Sequence, residues 1–372
     1  MLTMKLKRTL VALLLAVVML IPCALASCSG PRYAVVMEYN GIKLTEDMYN
    51  YWVSTFKRNI LSSYSDARDT EAFWGQKYDD TRTVGEYFNE IIRERIMNYL
   101  ICQDLYKKNR LTLDDDVKKA IKDDINEKIE YYGSRGALNQ ELASLMLNVD
   151  SLKEAYTWEE KHDCVYNWLY GKGGVDEVSD AKLVEYYEKN YHCIQYIVFY
   201  TTKIETNDKG EYVYDENGQL VTEELTEEEM NKKLADIEDC YTKLTAGEDF
   251  ETLRKKYSEY DTSAYQNGFL LSANEVDIWG ADIILATQNA KAGDVYKIEE
   301  ESAVFLICKR ELPTMGTLGE LDLEQIKNLS SYATAELYDA FFGELQKNVV
   351  VYEDVLAKYK LESVKANPFY SI

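Results

Sequence analysis

The sequence predicts an α+β protein in which mainly helical parts flank a region of strands and helices. Residues from about 45 to 190 place apolar side chains at helical spacing. The run from Cys193 to Tyr200 is rich in β-branched and aromatic residues, which favours a strand. A second helical stretch runs from about Leu323 to Leu361. With 372 residues and 46% hydrophobic content, the chain is long enough to form two or three folding units.

Residues 1–27 have the three-part pattern of a secretory signal peptide. Basic residues precede an apolar run of roughly 16 residues, which is short for a permanent membrane span, and small residues follow. The segment Leu25-Ala26-Ser27-Cys28 resembles the bacterial lipobox, in which the cysteine is acylated and becomes the mature N-terminus. This resemblance implies lipidation at Cys28, a tether over 28–32 and a membrane anchor outside the cytoplasm. The alternative is an ordinary signal peptide in which Cys28 is a small apolar residue.

Residues 33–188 are predicted to form a mainly helical region. Thr45 is placed as the N-cap of a first helix. Thr83 and Glu86 have the spacing of a capping box, which predicts a helix from there to about Asn109. The other helices of this region are predicted near 114–132, 150–170 and 180–190.

Residues 189–312 alternate between strand and helix signals. The strand that begins at Cys193 is followed by two glycine-centred turns, which predict an inserted hairpin over 205–224. The other predicted elements are helices over 226–246, 249–258 and 279–290, and strands that begin at Phe269 and Ser302. The segment 318–365 is then predicted to be helical again.

The charge of the chain and its scarcity of histidine exclude several classes of site. A formal charge of −23 disfavours nucleic acid, because its binding depends on clusters of Lys and Arg. His162 and His192 are too few for a His-rich zinc site, and neither lies beside a nucleophile motif. The sequence therefore predicts no metal and no cofactor. The cysteines that follow Cys28 are odd in number and lack CxxC spacing, which favours buried thiols over a disulfide framework.

Residues 189–312 contain, in this order, the motifs Gly247-Glu248-Asp249-Phe250-Glu251-Thr252-Leu253, Tyr257-Ser258, Asn267-Gly268-Phe269 and Ala292-Gly293-Asp294-Val295. This order, between a first and a last apolar strand, resembles the parvulin domain of peptidyl-prolyl isomerases. Together with the export signal and the flanking helices, this order resembles the PrsA and SurA family of exported foldases. The resemblance implies that 33–188 and 318–365 pack together as a SurA-N-like chaperone domain, into which an antiparallel parvulin-like sheet with its helices is inserted.

The resemblance also implies where the functional positions fall. Parvulins carry facing histidines on the first and last strands, and these positions fall on Tyr196 and Val304. The family's Cys or Asp position falls on or beside Tyr260 and Asp261. Because neither strand position is a histidine here, the resemblance implies weak or absent isomerase activity, with Tyr196 and Val304 as core-filling residues. The residues expected to form a pocket for proline or peptide are Phe269, Leu270, Ile283 and either Val276 or the adjacent Glu275.

Three functions remain open on these grounds. The first is a membrane-anchored foldase that binds unfolded exported polypeptides. The second is an active peptidyl-prolyl isomerase, and the third is a non-catalytic envelope lipoprotein with one fixed partner. For the first function, aromatic residues such as Trp52, Phe56 and Tyr87 could line a cradle for clients, whereas the simpler interpretation places them in an ordinary core between helices.

Overall fold

A computed structural model describes residues 33–63, 67–205, 207, 213–214 and 221–368 of this chain. The fold is α+β, as the sequence predicts, and combines many helices with small antiparallel sheets. The chain divides into two compact units. The first unit comprises the residues up to Glu177 and those from Asp339 onward, and the second is the continuous stretch Val178–Tyr338. The predicted signal peptide, Cys28 and the tether lie outside the described residues.

A small antiparallel sheet in the first unit pairs an early segment of the chain with a late one. Strands β1 (Val35–Tyr39) and β2 (Ile42–Thr45) form a hairpin, and the last strand among the described residues, β9 (Val350–Val351), pairs with β1 on its other side. The prediction of a helical segment over 318–365 is therefore wrong at Val350 and Val351. The run Val349-Val350-Val351-Tyr352 favours a strand locally, and pairing with β1 gives Val350 and Val351 their partner.

Two helices of the first unit begin directly after Thr45 and Thr83, the residues that the sequence places as their caps. In the capping box, the backbone N–H of Glu86 donates to Thr83 Oγ1 at 3.2 Å, and the N–H of Thr83 donates to Glu86 Oε2 at 2.8 Å. This confirms the predicted start of the longest helix. The helices are α1 (Glu46–Ser63), α2 (Glu71–Trp74), α3 (Val84–Lys108), α4 (Asp115–Tyr131), α5 (Arg135–Leu142), α6 (Val149–Tyr170) and, near the chain end, α14 (Glu353–Leu356).

Aromatic side chains from α1, α3 and α6 form the centre of the first unit's core. Trp52 is only 1% exposed, and its ring centroid lies 4.9 Å from that of Tyr99 and 5.7 Å from that of Trp158. The indole Nε1 of Trp52 donates to Glu159 Oε1 at 2.8 Å, which satisfies a polar group that the core would otherwise leave unpaired.

A buried lysine of α1 forms hydrogen bonds with the C-terminal segment. Lys57 is 1% exposed, and its Nζ donates to the carbonyl oxygens of Leu361 at 2.6 Å and Val364 at 2.7 Å. The same ammonium lies 2.6 Å from Asp69 Oδ1. All three contacts are needed because an unpaired buried charge is costly.

The second unit is built on a four-stranded antiparallel sheet of order β6-β3-β8-β7. The two central strands are the clearest strands of the sequence, and both are predicted. The strands are β3 (Tyr191–Tyr200), β6 (Phe269–Ser272), β7 (Val295–Glu299) and β8 (Ala303–Arg310). The accompanying helices are α7 (Asp180–Asn190), α8 (Glu227–Thr245), α9 (Phe250–Tyr257), α10 (Val276–Trp279), α11 (Ala281–Asn289), α12 (Glu320–Gln325) and α13 (Leu329–Gln346), of which α13 ends in the first unit.

Two local features of the second unit differ in detail from the sequence prediction. The helix predicted over 279–290 is present as α11, which begins at Ala281, because Gly280 with a φ of 78° separates it from the short α10 that the sequence did not predict. The stems of the predicted hairpin are present as β4 (Thr202–Ile204) and β5 (Thr222–Glu224), which pair antiparallel. Its two glycine-centred turns lie outside the described residues.

In the part of the chain that the structure describes, no helix is long and apolar enough to span a membrane. Within the same residues, no cluster of His, Cys, Asp and Glu is arranged to hold a metal ion. The five described cysteines are free thiols, and four of them are buried, in agreement with the prediction of buried thiols.

Candidate functional site

The predicted site lies at the centre of the second unit's sheet, where β3 and β8 run side by side. Tyr196 on β3 is paired with Ile307 on β8. Because side chains alternate between the two faces of a sheet, the register decides which predicted residues meet. Tyr196, Phe269 and Ile283 pack in one buried cluster, so the structure brings these three together.

Five aromatic residues on this face form a group that we call the aromatic cluster: Tyr196, Tyr265, Phe269, Trp279 and Phe305. The ring of Tyr196 stacks on Phe269 at 5.0 Å between centroids and meets Phe305 edge-on at 5.6 Å. Trp279 lies 5.4 Å from Phe269 and 6.3 Å from Tyr196. Tyr265 approaches Phe269 at 4.3 Å. Such pairs stabilise the folded state by about 0.5–1.5 kcal/mol each beyond the area they bury.

Val304 is not part of this face. It packs on the opposite side of the sheet with Ile197, Phe199 and residues of α8 and α9. Val304 and Tyr196 therefore lie on opposite faces of the sheet, and Phe305 is the β8 residue whose ring contacts that of Tyr196. A shift of one residue along a strand moves a side chain to the other face, so Val304 cannot partner Tyr196.

The other residues predicted for the pocket do not pack with Tyr196. Leu270 faces away from Tyr196 and packs against Tyr187 and Tyr191. Val276 is 40% exposed at the start of α10. Glu275 is buried, and its Oε2 accepts a hydrogen bond from the backbone N–H of Ser272 at 3.0 Å, which makes it a local cap.

Tyr260 and Asp261 lie in the loop after α9. Tyr260 is half exposed. Asp261 Oδ1 accepts hydrogen bonds from the backbone N–H of Ser263 at 2.9 Å and from Arg254 Nη1 at 2.8 Å. These bonds, first the Ser263 N–H and then the guanidinium, hold the pKa of Asp261 below its ordinary value. The carboxylate is thus occupied in positioning the loop.

The chemistry available in the aromatic cluster is that of apolar contact. Burial raises the pKa of Tyr196 to about 12, so its hydroxyl stays protonated at neutral pH and cannot serve as a base. His192 lies four residues before Tyr196, and burial lowers its pKa to about 4, with Lys309 adding to the effect. The cluster can therefore bind a ring or an aliphatic group by apolar contact.

Sequence reasoning missed three members of the cluster: Tyr265, Trp279 and Phe305. Counting alternation along β8 from its pairing with β3 would have identified Phe305. Trp279 carries a weaker signal, because it stands directly before the helix-breaking Gly280.

The three residues suggested for a client cradle have different surroundings in the first unit. Trp52 is in the core. Phe56 stacks on Tyr99 at 6.5 Å, and Tyr87 stacks on the half-exposed Tyr78 at 3.7 Å. The cradle remains a prediction, and Trp52 itself is accounted for by packing.

Comparison with known proteins shows which of them this chain is similar to. No protein-family model matches it. The foldase protein PrsA of Caldanaerobacter subterraneus subsp. tengcongensis is 24% identical over 322 residues, which cover 84% of this chain and 86% of that protein.

Solved PrsA structures also align with most of the chain. The protein from Bacillus subtilis is 21% identical and covers 77% of this chain and 93% of its own, with a TM-score of 0.21. The one from Streptococcus pneumoniae is 14% identical and covers 87% and 97%, with a TM-score of 0.23. TM-scores this low are no argument for a shared arrangement, so the relationship rests on the sequence match. Over most of its length the chain is PrsA-like, as the order of its sequence motifs predicts.

Proposed function

We propose that this protein is a lipid-anchored foldase that acts outside the cytoplasm, binds exported polypeptides while they fold, and has weak or no peptidyl-prolyl isomerase activity. In this proposal the parvulin-like region is 189–312, and residues 33–188 with 318–365 form the chaperone domain. The division into a discontinuous first unit and a continuous second unit supports an inserted domain. The relationship to PrsA supports the foldase class.

The observation that carries the proposal is the filled aromatic cluster. Prolyl isomerisation breaks no covalent bond, but its barrier is about 18–20 kcal/mol. A site lowers this barrier by binding the twisted amide more tightly than the planar one, which requires preorganised polar groups around the proline. Here Tyr196 is 9% exposed and surrounded by Phe269, Trp279 and Phe305. Aromatic packing thus fills the space at the position that the family resemblance assigns to a histidine.

Exposed apolar side chains beside the cluster support a binding role. Ile278 on α10 is 76% exposed, and Leu285 on α11 is 60% exposed. Both belong to the helices that carry Trp279 and Ile283. Unfolded polypeptides offer apolar side chains that such a surface can cover.

The isomerase part of the proposal is tested with a protein whose refolding is limited by proline isomerisation. We expect the slow phase to keep its rate even when the purified mature protein is in molar excess. A rate that rises in proportion to the added protein would mean that the enzyme is active, and that the aromatic cluster opens to admit proline.

The chaperone part is tested by aggregation of several unrelated unfolded clients. We expect the protein to suppress aggregation of all of them, and the double variant Ile278→Ser, Leu285→Ser to do so several-fold less well. Leu323→Ser, at a 48% exposed leucine of α12, is the matched control and should behave like the wild type. Protection that depends strictly on one partner would instead support an envelope lipoprotein with a fixed partner.

The anchor is tested separately by the variant Cys28→Ala. We expect this variant to accumulate unprocessed and to lose lipid labelling, because the thiol is the acylated atom. Processing and lipid labelling equal to those of the wild type would refute lipidation at Cys28.

A further inference from the structure

Strand β7 is the outer strand on one side of the second unit's sheet. Among the described residues it pairs with β8 alone. The N–H of Lys309 donates to the carbonyl oxygen of Asp294 at 2.9 Å, and the N–H of Glu300 donates to that of Ala303 at 2.8 Å. Because bonded residues alternate along an antiparallel strand, the even-numbered residues of β7 face β8 and the odd-numbered ones face away from the sheet.

The outward residues of β7 are Val295, Lys297 and Glu299. Each has one backbone N–H donor and one C=O acceptor that β8 does not use. Within the part of the chain that the structure describes, no hydrogen bond is made to these backbone groups. This edge therefore offers a row of backbone donors and acceptors with which another extended chain can pair.

The opposite edge of the same sheet is occupied. There the outward N–H of Leu270 on β6 donates to Gln325 Oε1 of α12 at 2.9 Å. Asn267, just before β6, donates from Nδ2 to Asp322 Oδ2 of the same helix at 2.7 Å. Proteins usually cover or blunt their strand edges, because open edges pair with other chains. Helix α12 thus covers one edge of this sheet, and the edge at β7 is the one available to a partner.

The two faces beside β7 differ in chemistry. The half-buried Tyr296 and Ile298 pack against the core that holds the aromatic cluster, so this face is apolar. On the other face, Lys297 Nζ lies 2.9 Å from Glu238 Oε1 of α8 and 3.3 Å from Glu299 Oε1. Both carboxylates are more than half exposed and share this one ammonium. The second face therefore carries an excess of negative charge.

The surroundings of β7 add to this excess. Residues 291–301, which comprise β7 and the turns at its two ends, contain two lysines and four acidic residues. Leu234 and Tyr241, one turn before and one turn after Glu238 on α8, are uncharged. Side chains of neighbouring strands interact across a sheet, and like charges that face each other are destabilising. A strand added beside β7 is thus favoured when its side chains on the α8 face are basic.

We propose that β7 binds an extended segment of client polypeptide as a fifth strand of the sheet, and that the preferred segment alternates apolar and basic residues. The segment's backbone pairs with the outward groups of β7. Its apolar side chains lie beside Tyr296 and Ile298, and its basic side chains lie beside Glu238 and Glu299. The inference rests on the proposed foldase function and gives it a site that recognises the backbone, which every unfolded client has.

The preference is tested by isothermal titration calorimetry with the full mature chain and three N-acetylated, C-amidated heptapeptides. In the first, valine alternates with lysine, and in the second, valine alternates with glutamate. The third has the composition of the first, with its valines and lysines in separate blocks. We expect the first peptide to bind about ten-fold more tightly than either of the others. Equal binding of the glutamate peptide would overturn the charge preference, and equal binding of the block peptide would overturn pairing as a strand.

Two substitutions at Lys297 separate backbone pairing from side-chain contact. Because the N–H of Lys297 points away from β8, Lys297→Pro removes an outward donor and no hydrogen bond of the sheet. Lys297→Ala removes the same ammonium and keeps the N–H. We expect Lys297→Pro to weaken the valine–lysine peptide about five-fold. Lys297→Ala should strengthen it about two-fold, because Glu238 and Glu299 lose their internal partner. Equal affinities for the two variants would overturn backbone pairing.

Hydrogen exchange resolved to single amides keeps the test decisive if Lys297→Pro perturbs the fold. In the free protein the amides of the outward residues should exchange faster than those of Tyr296 and Ile298, which face β8. We expect the valine–lysine peptide to slow the outward amides of Val295, Lys297 and Glu299 at least ten-fold. Peptide binding that leaves these amides unchanged would overturn the site.

The remaining outcomes identify the occupant and separate this inference from the foldase proposal. A dimer that Lys297→Pro dissociates in sedimentation would assign the edge to a second copy of the chain and overturn its assignment to a client. Aggregation suppressed equally by the wild type and Lys297→Pro would refute the edge as the client site and leave the foldase function standing. Peptide bound at β7 by a protein that suppresses no aggregation would refute the foldase function and leave the strand site standing.

Discussion

Replacing Glu159 by glutamine should make the first unit more stable at high pH and leave it unchanged at low pH. Glu159 accepts the Trp52 Nε1 hydrogen bond at 2.8 Å inside the aromatic core. Burial raises its pKa from 4.5 to about 7, the nearby Asp163 adds to the effect, and the Trp52 bond opposes it. Glutamine keeps an oxygen for Trp52 and removes the charge.

The sign of the effect follows from proton binding. The folded state holds the Glu159 proton more tightly than the unfolded state, so unfolding releases a proton and stability falls as pH rises from 4.5 to about 7. The displacement from 4.5 to about 7 corresponds to roughly 3 kcal/mol, which is the largest gain expected for Glu159→Gln above pH 8. At pH 4 the carboxyl is mostly protonated in both states, and the gain should nearly vanish.

Urea unfolding followed by tryptophan fluorescence measures this difference. Four of the five tryptophans lie in the first unit, so the signal reports mainly on it. Glu154→Gln, at an exposed position of the same helix, is the control and should change stability by less than about 0.5 kcal/mol at any pH. A stability gain for Glu159→Gln that is the same at pH 4 and pH 8.5 would refute a buried, proton-binding carboxyl.

Three further substitutions and one labelling experiment have expected outcomes. Lys57→Met removes the donor to two buried carbonyls of the C-terminal segment, and should lower the free energy of unfolding by about 3 kcal/mol in urea and speed hydrogen exchange over 361–364. Gly268→Ala should lower it by more than about 2 kcal/mol, because φ is +97° and a Cβ would lie 2.6 Å from a backbone carbonyl oxygen. Gly293→Ala, with φ +93° and no heavy atom within 4 Å, should cost only about 1 kcal/mol in the same melt, and equal costs would contradict the steric argument. In the native protein Cys164 should react with a thiol reagent well before the four buried cysteines do, and uniform reactivity would contradict their burial.

The sequence was a reliable guide where local chemistry decides the structure. Caps such as Thr83 fix a helix start through bonds between residues three positions apart, and these are visible in the sequence. The apolar β3 and β8 are likewise predicted, because strands buried on both faces need long runs of apolar residues.

The sequence was a poor guide where distant pairing decides. Strand β9 exists because Met37 and Glu38 lie beside it, more than three hundred residues away. In the candidate site, the face on which Val304 or Phe305 lies depends on the register of β8 against β3. A motif alignment without that register can be wrong by one residue. In a strand, a shift of one residue moves the side chain to the opposite face of the sheet.

The sheet that joins β1 to β9 has a consequence for the order of folding. Helix α1 is synthesised early, but Leu361 and Val364, whose carbonyl oxygens accept from Lys57, are synthesised 304 and 307 residues later. All residues of the continuous second unit are synthesised before Leu361 and Val364. We expect the second unit to fold first, contrary to the usual N-terminal-first order. Because Leu361 and Val364 accept the hydrogen bonds of Lys57, the first unit can be completed only after these two residues have been synthesised.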